Sequence, residues 1–131
     1  MNTIVLIVDD EPDVEMLFRQ QFRREMRQGL YTLDFATSGE AALTKLDDHT
    51  GKSIILLLSD INMPGMTGLD LLPVVKKRRP ELPIFMISAY GDDATVATAL
   101  ARGANKFVTK PVDFPKLKQD VAMIAQQAGS T

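Results

Sequence analysis

The side chains of this chain that could do chemistry stand directly after four apolar segments. They are Asp9, Asp10, Asp60, Ser88 and Lys110. Carboxylate oxygens without a histidine or cysteine beside them are the ligands that a hard cation such as Mg²⁺ prefers. A carboxylate can also accept a phosphoryl group as an acyl phosphate, and an ammonium and a hydroxyl can hold phosphoryl oxygens. These residue types together predict Mg²⁺-assisted phosphoryl chemistry, provided that the fold gathers them.

Asp60 is the best-placed nucleophile of this set. It closes an apolar run that begins at Ile54 and has the composition of a strand buried on both faces. The turn formers Asn62, Pro64 and Gly65 follow at once, so the chain must leave the core here. Several carboxylates held close together would repel one another and raise at least one pKa unless a cation joins them.

Strand-like and helical segments alternate along the chain and must position these side chains. The predicted strands are residues 4–8, 31–36, 54–58, 84–87 and 106–109. Five helices are predicted: the first at about 12–28, the second at 40–46, the third after Gly65 and closing at Arg79, the fourth at 92–103, and the last carrying Phe114 to Ala128. Pro73 should kink the third helix or lie in its first turn, and a polar loop is expected at 47–52. The alternation predicts a doubly wound α/β sandwich with a parallel sheet, in which the carboxyl ends of the strands meet at one edge.

Composition excludes several classes of function. The chain has 131 residues, 45% of them hydrophobic and 24% charged, which suits one globular domain. A net charge of −2 argues against a dedicated nucleic-acid binder. The absence of cysteine rules out disulfides, thiolate metal sites and a cysteine nucleophile. The apolar segment at residues 4–8 is too short to span a bilayer and lacks a basic flank, so a cytoplasmic protein without a membrane segment is expected.

The arrangement of these motifs resembles the receiver domain of two-component response regulators over essentially the whole chain. The motifs are Asp9–Asp10, the stretch from Asp60 to Gly65 with Gly68, Ser88–Ala89 and Lys110–Pro111. Each motif alone is weak, but their order and spacing together are specific. The resemblance implies a flavodoxin-like (βα)5 fold with strand order 2-1-3-4-5, a receiver domain at residues 1–128 and a short tail at 129–131.

The resemblance also implies a role for each residue of the site. Asp60 would be the phosphoacceptor, and Ser88 and Lys110 would contact the phosphoryl group. Asp10 and Asp60 would bind Mg²⁺, with the Asn62 backbone carbonyl as a further ligand and Asp9 acting partly through water. The Lys110–Pro111 bond would be cis. Phe107 would be the switch aromatic that responds to Ser88, although it lacks the hydroxyl of the more common tyrosine.

The implied partners are proteins. The phosphoryl donor would be a histidine kinase or a phosphotransfer protein, and phosphorylation would change the face from about Asp92 to Gln127, formed by the fourth helix, fifth strand and fifth helix. The target would be a separate protein or an output domain outside this chain. The chain itself is not expected to bind nucleic acid, and a phosphorylation-dependent homodimer stays open.

Simpler interpretations exist for each residue taken singly. Asp60 could be a turn former, Asp9 and Asp10 could merely charge the start of a helix, and Lys110 could be a solvated lysine. The joint pattern makes these interpretations together improbable. A basic stripe on the first helix is a solvated face by default, with a kinase-docking face as the sharper alternative. Its members are Arg19, Arg23, Arg24 and Arg27.

Two other function classes use a similar framework. A Mg²⁺-dependent phosphohydrolase with an aspartyl-phosphate intermediate would need a general acid or base, whereas Asn62 and Tyr90 stand two residues after Asp60 and Ser88. A flavin- or nucleotide-binding module would need a phosphate-cradling loop after the first strand. The acidic, proline-containing segment at residues 9–12 is unsuited to that role.

Overall fold

The computed structural model describes residues 3–48, 53–89 and 91–129. Five parallel strands form one sheet in the order β2-β1-β3-β4-β5. The strands are β1 Ile4–Val8, β2 Thr32–Ala36, β3 Ile54–Asp60, β4 Ile84–Ser88 and β5 Lys106–Thr109. The predicted fold class, parallel sheet and strand order are therefore confirmed.

Six helices connect the strands in the described part of the chain. They are α1 Pro12–Gln21, α2 Arg23–Arg27, α3 Gly39–Asp48, α4 Gly68–Arg78, α5 Asp93–Ala101 and α6 Phe114–Gly129. Two segments that the sequence prediction placed outside helices belong to them. Asp47 and Asp48 complete α3 instead of opening a loop, and Gly129 belongs to α6 instead of a tail. The remainder of the predicted loop, 49–52, lies outside the described residues, as do Tyr90 and residues 130–131.

The prediction of one long first helix was wrong, because the helix divides at Phe22. This residue has φ −102° and ψ 13° and separates α1 from α2. Its side chain is buried, with its ring stacked on Phe18 at 5.8 Å and edge-on to Tyr31 and Phe114. Spacing along the sequence cannot show this break, since Phe22 continues the apolar periodicity and only its packing sets it apart.

The end of α2 matches the predicted stop at Gly29. Gly29 adopts a positive φ of 75°, and its N–H donates to the Met26 carbonyl. The Leu30 N–H donates to the Glu25 carbonyl. These two bonds form a Schellman motif, which satisfies carbonyls that a helix end leaves free.

Both faces of the sheet are covered, and alternate strand residues supply two separate cores. One core lies under α3, α4 and α5 and includes Leu6, Val8, Leu57 and Met86. The other lies under α1, α2 and α6 and includes Val5, Ile7, Leu56, Leu58 and Ile87. This two-sided burial explains why the strands contain continuous apolar runs instead of alternating ones.

Pro73 lies inside α4, beyond its first turn. Proline has no N–H to donate to the carbonyl four residues earlier, which here is Leu69. The Arg102 guanidinium at the end of α5 donates to that carbonyl at 2.8 Å. The proline therefore frees an acceptor that the neighbouring helix uses, and this contact ties α4 to α5.

The turn from β3 into α4 holds Asp60 at the edge of the sheet. The Gly68 N–H donates to the Ile61 carbonyl at 2.9 Å, so the start of α4 lies directly against the end of β3. Thr67 and Asp70 form a capping box in which each side chain accepts from the other's backbone N–H. Gly65 turns the chain with a positive φ of 73°.

We expect Gly68→Ala to destabilise the protein more than Gly65→Ala. A Cβ at Gly68 would clash with the Asp60 carbonyl oxygen and would lie 2.6 Å from Met86 Cε. Overpacking of this kind costs about 1–3 kcal/mol, and backbone atoms yield less than side chains. A Cβ at Gly65 meets nothing within 4 Å, so only the left-handed backbone is penalised, by about 1–2 kcal/mol.

Urea unfolding of both variants measures this difference. Gly65→Asn serves as the matched control, because asparagine tolerates the left-handed region and should recover part of the loss. Equal losses at the two glycines would contradict the close approach at Gly68.

Candidate functional site

The carboxyl edge of the sheet brings three of the predicted carboxylates together. Asp9 and Asp10 follow β1, and Asp60 ends β3, the strand beside it. Each of the three offers an oxygen atom, and these atoms lie within 4.8 Å of one another. Asp9 and Asp60 are buried, whereas Asp10 is half-buried. The donors are all oxygen and all anionic, which is the chemistry that suits Mg²⁺.

Lys110 is the cation of the site and stands between two of the carboxylates. Its Nζ is 3.6 Å from Asp9 Oδ2 and 3.6 Å from Asp60 Oδ1. The Glu11 N–H donates to Asp9 Oδ1 at 2.9 Å and holds that carboxylate in place. A single ammonium group is therefore shared by two buried anions, so the cluster keeps an excess of negative charge.

The surroundings of Asp60 clearly shift the pKa of its carboxyl group. Burial and the neighbouring Asp9 carboxylate raise the pKa of Asp60 above its ordinary value. Lys110 acts in the opposite sense, as do the backbone N–H groups of Asn62 and Ile61. The raised pKa means that the charged form of Asp60 is destabilised in the protein, and a bound cation would relieve this.

Ser88 and Lys110 are linked through the backbone at the same edge. Ser88 ends β4, is fully buried and pairs in register with Thr109 of β5. The Lys110 N–H donates to the Ser88 carbonyl at 2.9 Å. The Lys110–Pro111 peptide bond is cis, as the family resemblance implied. The strand register thus brings the hydroxyl and the ammonium groups to the sheet edge that carries Asp60.

Asn62 and Phe107 occupy different positions around this centre. The Asn62 side chain is exposed, and its backbone N–H is among the groups that stabilise the Asp60 carboxylate. Phe107 pairs with Met86 in register and packs, half-buried, against the core under α3, α4 and α5. A Cβ at Gly91 would lie 3.8 Å from its ring. Phe107 therefore borders the loop that follows Ser88.

Two supporting features were missed by the reasoning from sequence. The Glu11 N–H that fixes Asp9 could not be located, because many conformations of an acidic turn are compatible with the sequence. The tight approach of Gly68 to Asp60 was not foreseen either, although the glycine was recognised within its motif. A glycine eight residues after the nucleophile could have suggested close backbone packing.

Comparison with known proteins assigns the family. A family model described as "Response regulator receiver domain" matches residues 5–122. This chain belongs to the response regulator receiver domain family. The receiver is 37% identical over 117 residues to the response regulator protein PilR of Pseudomonas aeruginosa, a match covering 89% of this chain and 25% of PilR. It is 34% identical to the chemotaxis protein CheY1 of Helicobacter pylori, over 92% of this chain and 94% of CheY1.

Solved structures agree with this assignment. The response regulator TrrA of Thermotoga maritima, determined in complex with Mg²⁺ and BeF, is 30% identical and superposes with a TM-score of 0.77. That match covers 93% of this chain and 98% of TrrA. The receiver spans about a quarter of the length of PilR and similarly large curated relatives, but nearly all of CheY1. Among the residues that the structure describes, no helix has the length and apolar character needed to span a membrane.

Asp60→Asn is expected to stabilise the receiver at neutral pH in Mg²⁺-free buffer. A carboxyl with a raised pKa in the folded state favours folding while it is protonated, and this contribution is lost as pH rises through that pKa. The asparagine amide of the variant does not ionise, so its contribution to stability is not lost as pH rises. We expect a gain on the order of 1 kcal/mol, or a few degrees in melting temperature, that disappears in acid.

Thermal unfolding followed by circular dichroism across pH, with EDTA present, tests this expectation. Asp13→Asn is the control, because Asp13 is exposed in the first turn of α1, where a negative charge is favourable. It should lower stability slightly. A loss of stability in Asp60→Asn at neutral pH would contradict the raised pKa of Asp60.

Proposed function

We propose that this receiver accepts a phosphoryl group on Asp60 and relays the change to a protein partner. The observation that supports this most is the grouping of Asp9, Asp10 and Asp60 around Lys110 at the carboxyl edge of the sheet. An Asp60 oxygen would attack the phosphorus of a phosphohistidine. The P–N bond would break, and its electron pair would leave with the donor imidazole.

The acidic residues are proposed to hold Mg²⁺. Asp10 and Asp60 would bind the ion, with the Asn62 carbonyl as a further ligand and Asp9 contributing partly through water. When bound, Mg²⁺ would neutralise part of the charge on Asp60 and on the incoming phosphoryl oxygens. The excess negative charge of the cluster and the raised pKa of Asp60 support this role.

Lys110 and Ser88 are proposed to bind the phosphoryl oxygens after transfer. Lys110 already lies 3.6 Å from an Asp60 oxygen. Its ammonium group can therefore stay near Asp60 while it turns towards the added charge. Ser88 is buried at the end of the adjacent strand and would donate its hydroxyl. Both contacts would stabilise charge that is absent from the unphosphorylated protein.

We propose that phosphorylation changes the face made by α5, β5 and α6, and that a partner binds this face. Movement of Ser88 towards the phosphoryl group would shift the loop that borders Phe107, and the ring would turn inward. Because Phe107 has no hydroxyl, this response would depend on packing alone. A separate protein or an output domain would read the altered face, and a phosphorylation-dependent homodimer would use the same face.

The phosphohydrolase alternative is not favoured. The family match supports a regulatory receiver. We further propose that the phosphodonor is a histidine kinase or phosphotransfer protein, that the receiver works in the cytoplasm, and that it does not itself contact nucleic acid.

Radiolabelled acetyl phosphate with Mg²⁺ should label the wild-type protein and leave Asp60→Asn unlabelled. Asp10→Asn should need at least about tenfold more Mg²⁺ for half-maximal labelling, because a carboxylate ligand is lost from a hard-cation site. Label recovery after acid quench measures both effects. Asp13→Asn controls for the general loss of an acidic side chain in this region.

This experiment decides between the candidate functions. Stoichiometric label with slow loss supports the receiver role, whereas many turnovers of a small phosphoester would favour the phosphohydrolase. Full labelling of Asp60→Asn, or labelling that is indifferent to EDTA, would overturn the proposal.

Beryllofluoride with Mg²⁺ should change the environment of Phe107 as well as that of Asp60. We expect nuclear magnetic resonance shifts to extend from the site into α5 and β5 in the wild-type protein. Ser88→Ala should keep the shifts near Asp60 and lose most of those at Phe107, because the coupling hydroxyl is gone. An undiminished Phe107 response in Ser88→Ala would remove Ser88 from the switch.

A further inference from the structure

A second charged site lies on the surface formed by α1, α2 and α6. It is a concave groove of about 450 Å³ lined only by polar side chains. The lining residues are Gln20, Gln21, Arg23, Arg24, Arg27 and Lys118. We call this the basic groove. Its four cations face a common space, although the chain as a whole carries a net charge of −2.

The structure separates Arg19 from the other three arginines of the basic stripe that the sequence suggested. Arg19 is absent from the groove, because it pairs with Glu15 at 3.0 Å and lies over the Phe35 ring at 4.7 Å. Lys118 of α6 takes its place in the groove. Lys118 is held there by Glu25, 3.4 Å away, and by the Phe22 ring at 5.6 Å. The groove is therefore assembled by the tertiary fold.

The three groove arginines have no carboxylate partner among the residues of 3–48, 53–89 and 91–129. All three are exposed, and Arg23 and Arg27 stand four residues apart on α2. Like charges at this spacing destabilise a helix slightly. Arginine forms planar, paired hydrogen bonds to carboxylates and phosphates. An anionic partner would relieve the repulsion and use those donors.

An apolar cavity adjoins the basic groove, and Lys118 lines both. The cavity has a volume of about 410 Å³, and most of its exposed lining is apolar, from Leu30, Ala122, Met123 and Ala125. Tyr31, Gln126 and Glu25 also line it, and Lys118 lies 3.4 Å from the Glu25 carboxylate. Leu30 is 52% exposed and Met123 is 60% exposed. Exposed apolar side chains beside a charged groove are typical of a protein-binding surface.

This surface is far from the phosphorylation edge. The helix α1 begins at Pro12, just after the site carboxylates, and runs back along the sheet. Arg23 lies beyond the far end of this ten-residue helix, which is about 15 Å long at 1.5 Å per residue. The groove arginines are therefore too far away to bind a phosphoryl group on Asp60.

We propose that the basic groove and the adjoining apolar cavity dock an amphipathic helix of a partner protein that carries acidic side chains along one side and apolar side chains along the other. The acidic residues contact Arg23, Arg24 and Arg27, and the apolar residues pack on Leu30 and Met123. Nucleic acid fits less well, because the exposed apolar side chains of Leu30 and Met123 beside the groove give a phosphate backbone nothing to pair with. Binding of lipid vesicles is an outcome that the test separates. Docking here requires no phosphorylation.

A designed peptide tests the proposal on the full chain. The probe is a helical peptide of about 16 residues with glutamates on one face and leucines on the adjacent face. We expect it to shift amide resonances of α2 and of the middle of α6, with an affinity that falls as salt rises. A peptide with glutamine in place of glutamate should bind at least about tenfold more weakly.

Variants separate the groove from general charge. Combined Arg23→Gln, Arg24→Gln and Arg27→Gln should weaken the peptide at least about tenfold, and Met123→Ser should weaken it independently. Arg19→Gln is the matched control, because that arginine is paired elsewhere, and it should change binding less than about twofold. All these positions are on the surface, and melting temperatures verify that the variants fold.

Several results would overturn the proposal. They are the absence of peptide shifts at α2 and α6, peptide affinity unchanged in the triple variant, and tighter binding of duplex DNA or phosphatidylglycerol vesicles to the same residues. Acetyl phosphate labelling of the triple variant gives an independent readout. Normal labelling with lost peptide binding shows that the groove acts apart from Asp60.

Discussion

The close placement of buried carboxylates around one ammonium group is the constraint on which the rest of the receiver depends. Asp9 and Asp60 share Lys110 at 3.6 Å each, with Asp10 beside them. Such a cluster is unfavourable by itself, as the raised pKa of Asp60 indicates. The folded protein tolerates it because the surrounding sheet and cores supply the stability. The same excess of negative charge would favour a bound cation at this edge.

The scaffold holds this edge by backbone contacts more than by side chains. The Glu11 N–H fixes Asp9, the Lys110 N–H bonds to Ser88, and Gly68 lets α4 approach Asp60 closely. Backbone contacts of this kind change little when side chains vary.

The two charged regions of the molecule are arranged at separate places and have opposite signs. The carboxyl edge of the sheet concentrates negative charge, whereas the basic groove concentrates arginines that lie beyond the ten-residue α1 and have no carboxylate partner within the described part of the chain. A partner that docks at the groove would leave the carboxyl edge of the sheet accessible.

The sequence by itself determined the strands, the sheet edge and the residues that meet there. Continuous apolar runs that end in polar residues are compatible with few structures other than the buried strands of a parallel sheet. The tertiary structure decided the rest. The break at Phe22 follows its aromatic packing, and an extra residue at Ile55 shifts the register between β1 and β3. Arg19 lies outside the basic groove and Lys118 lies in it because of contacts between elements that are distant in the sequence. Local patterns cannot encode such contacts, since they exist only once the helices are packed.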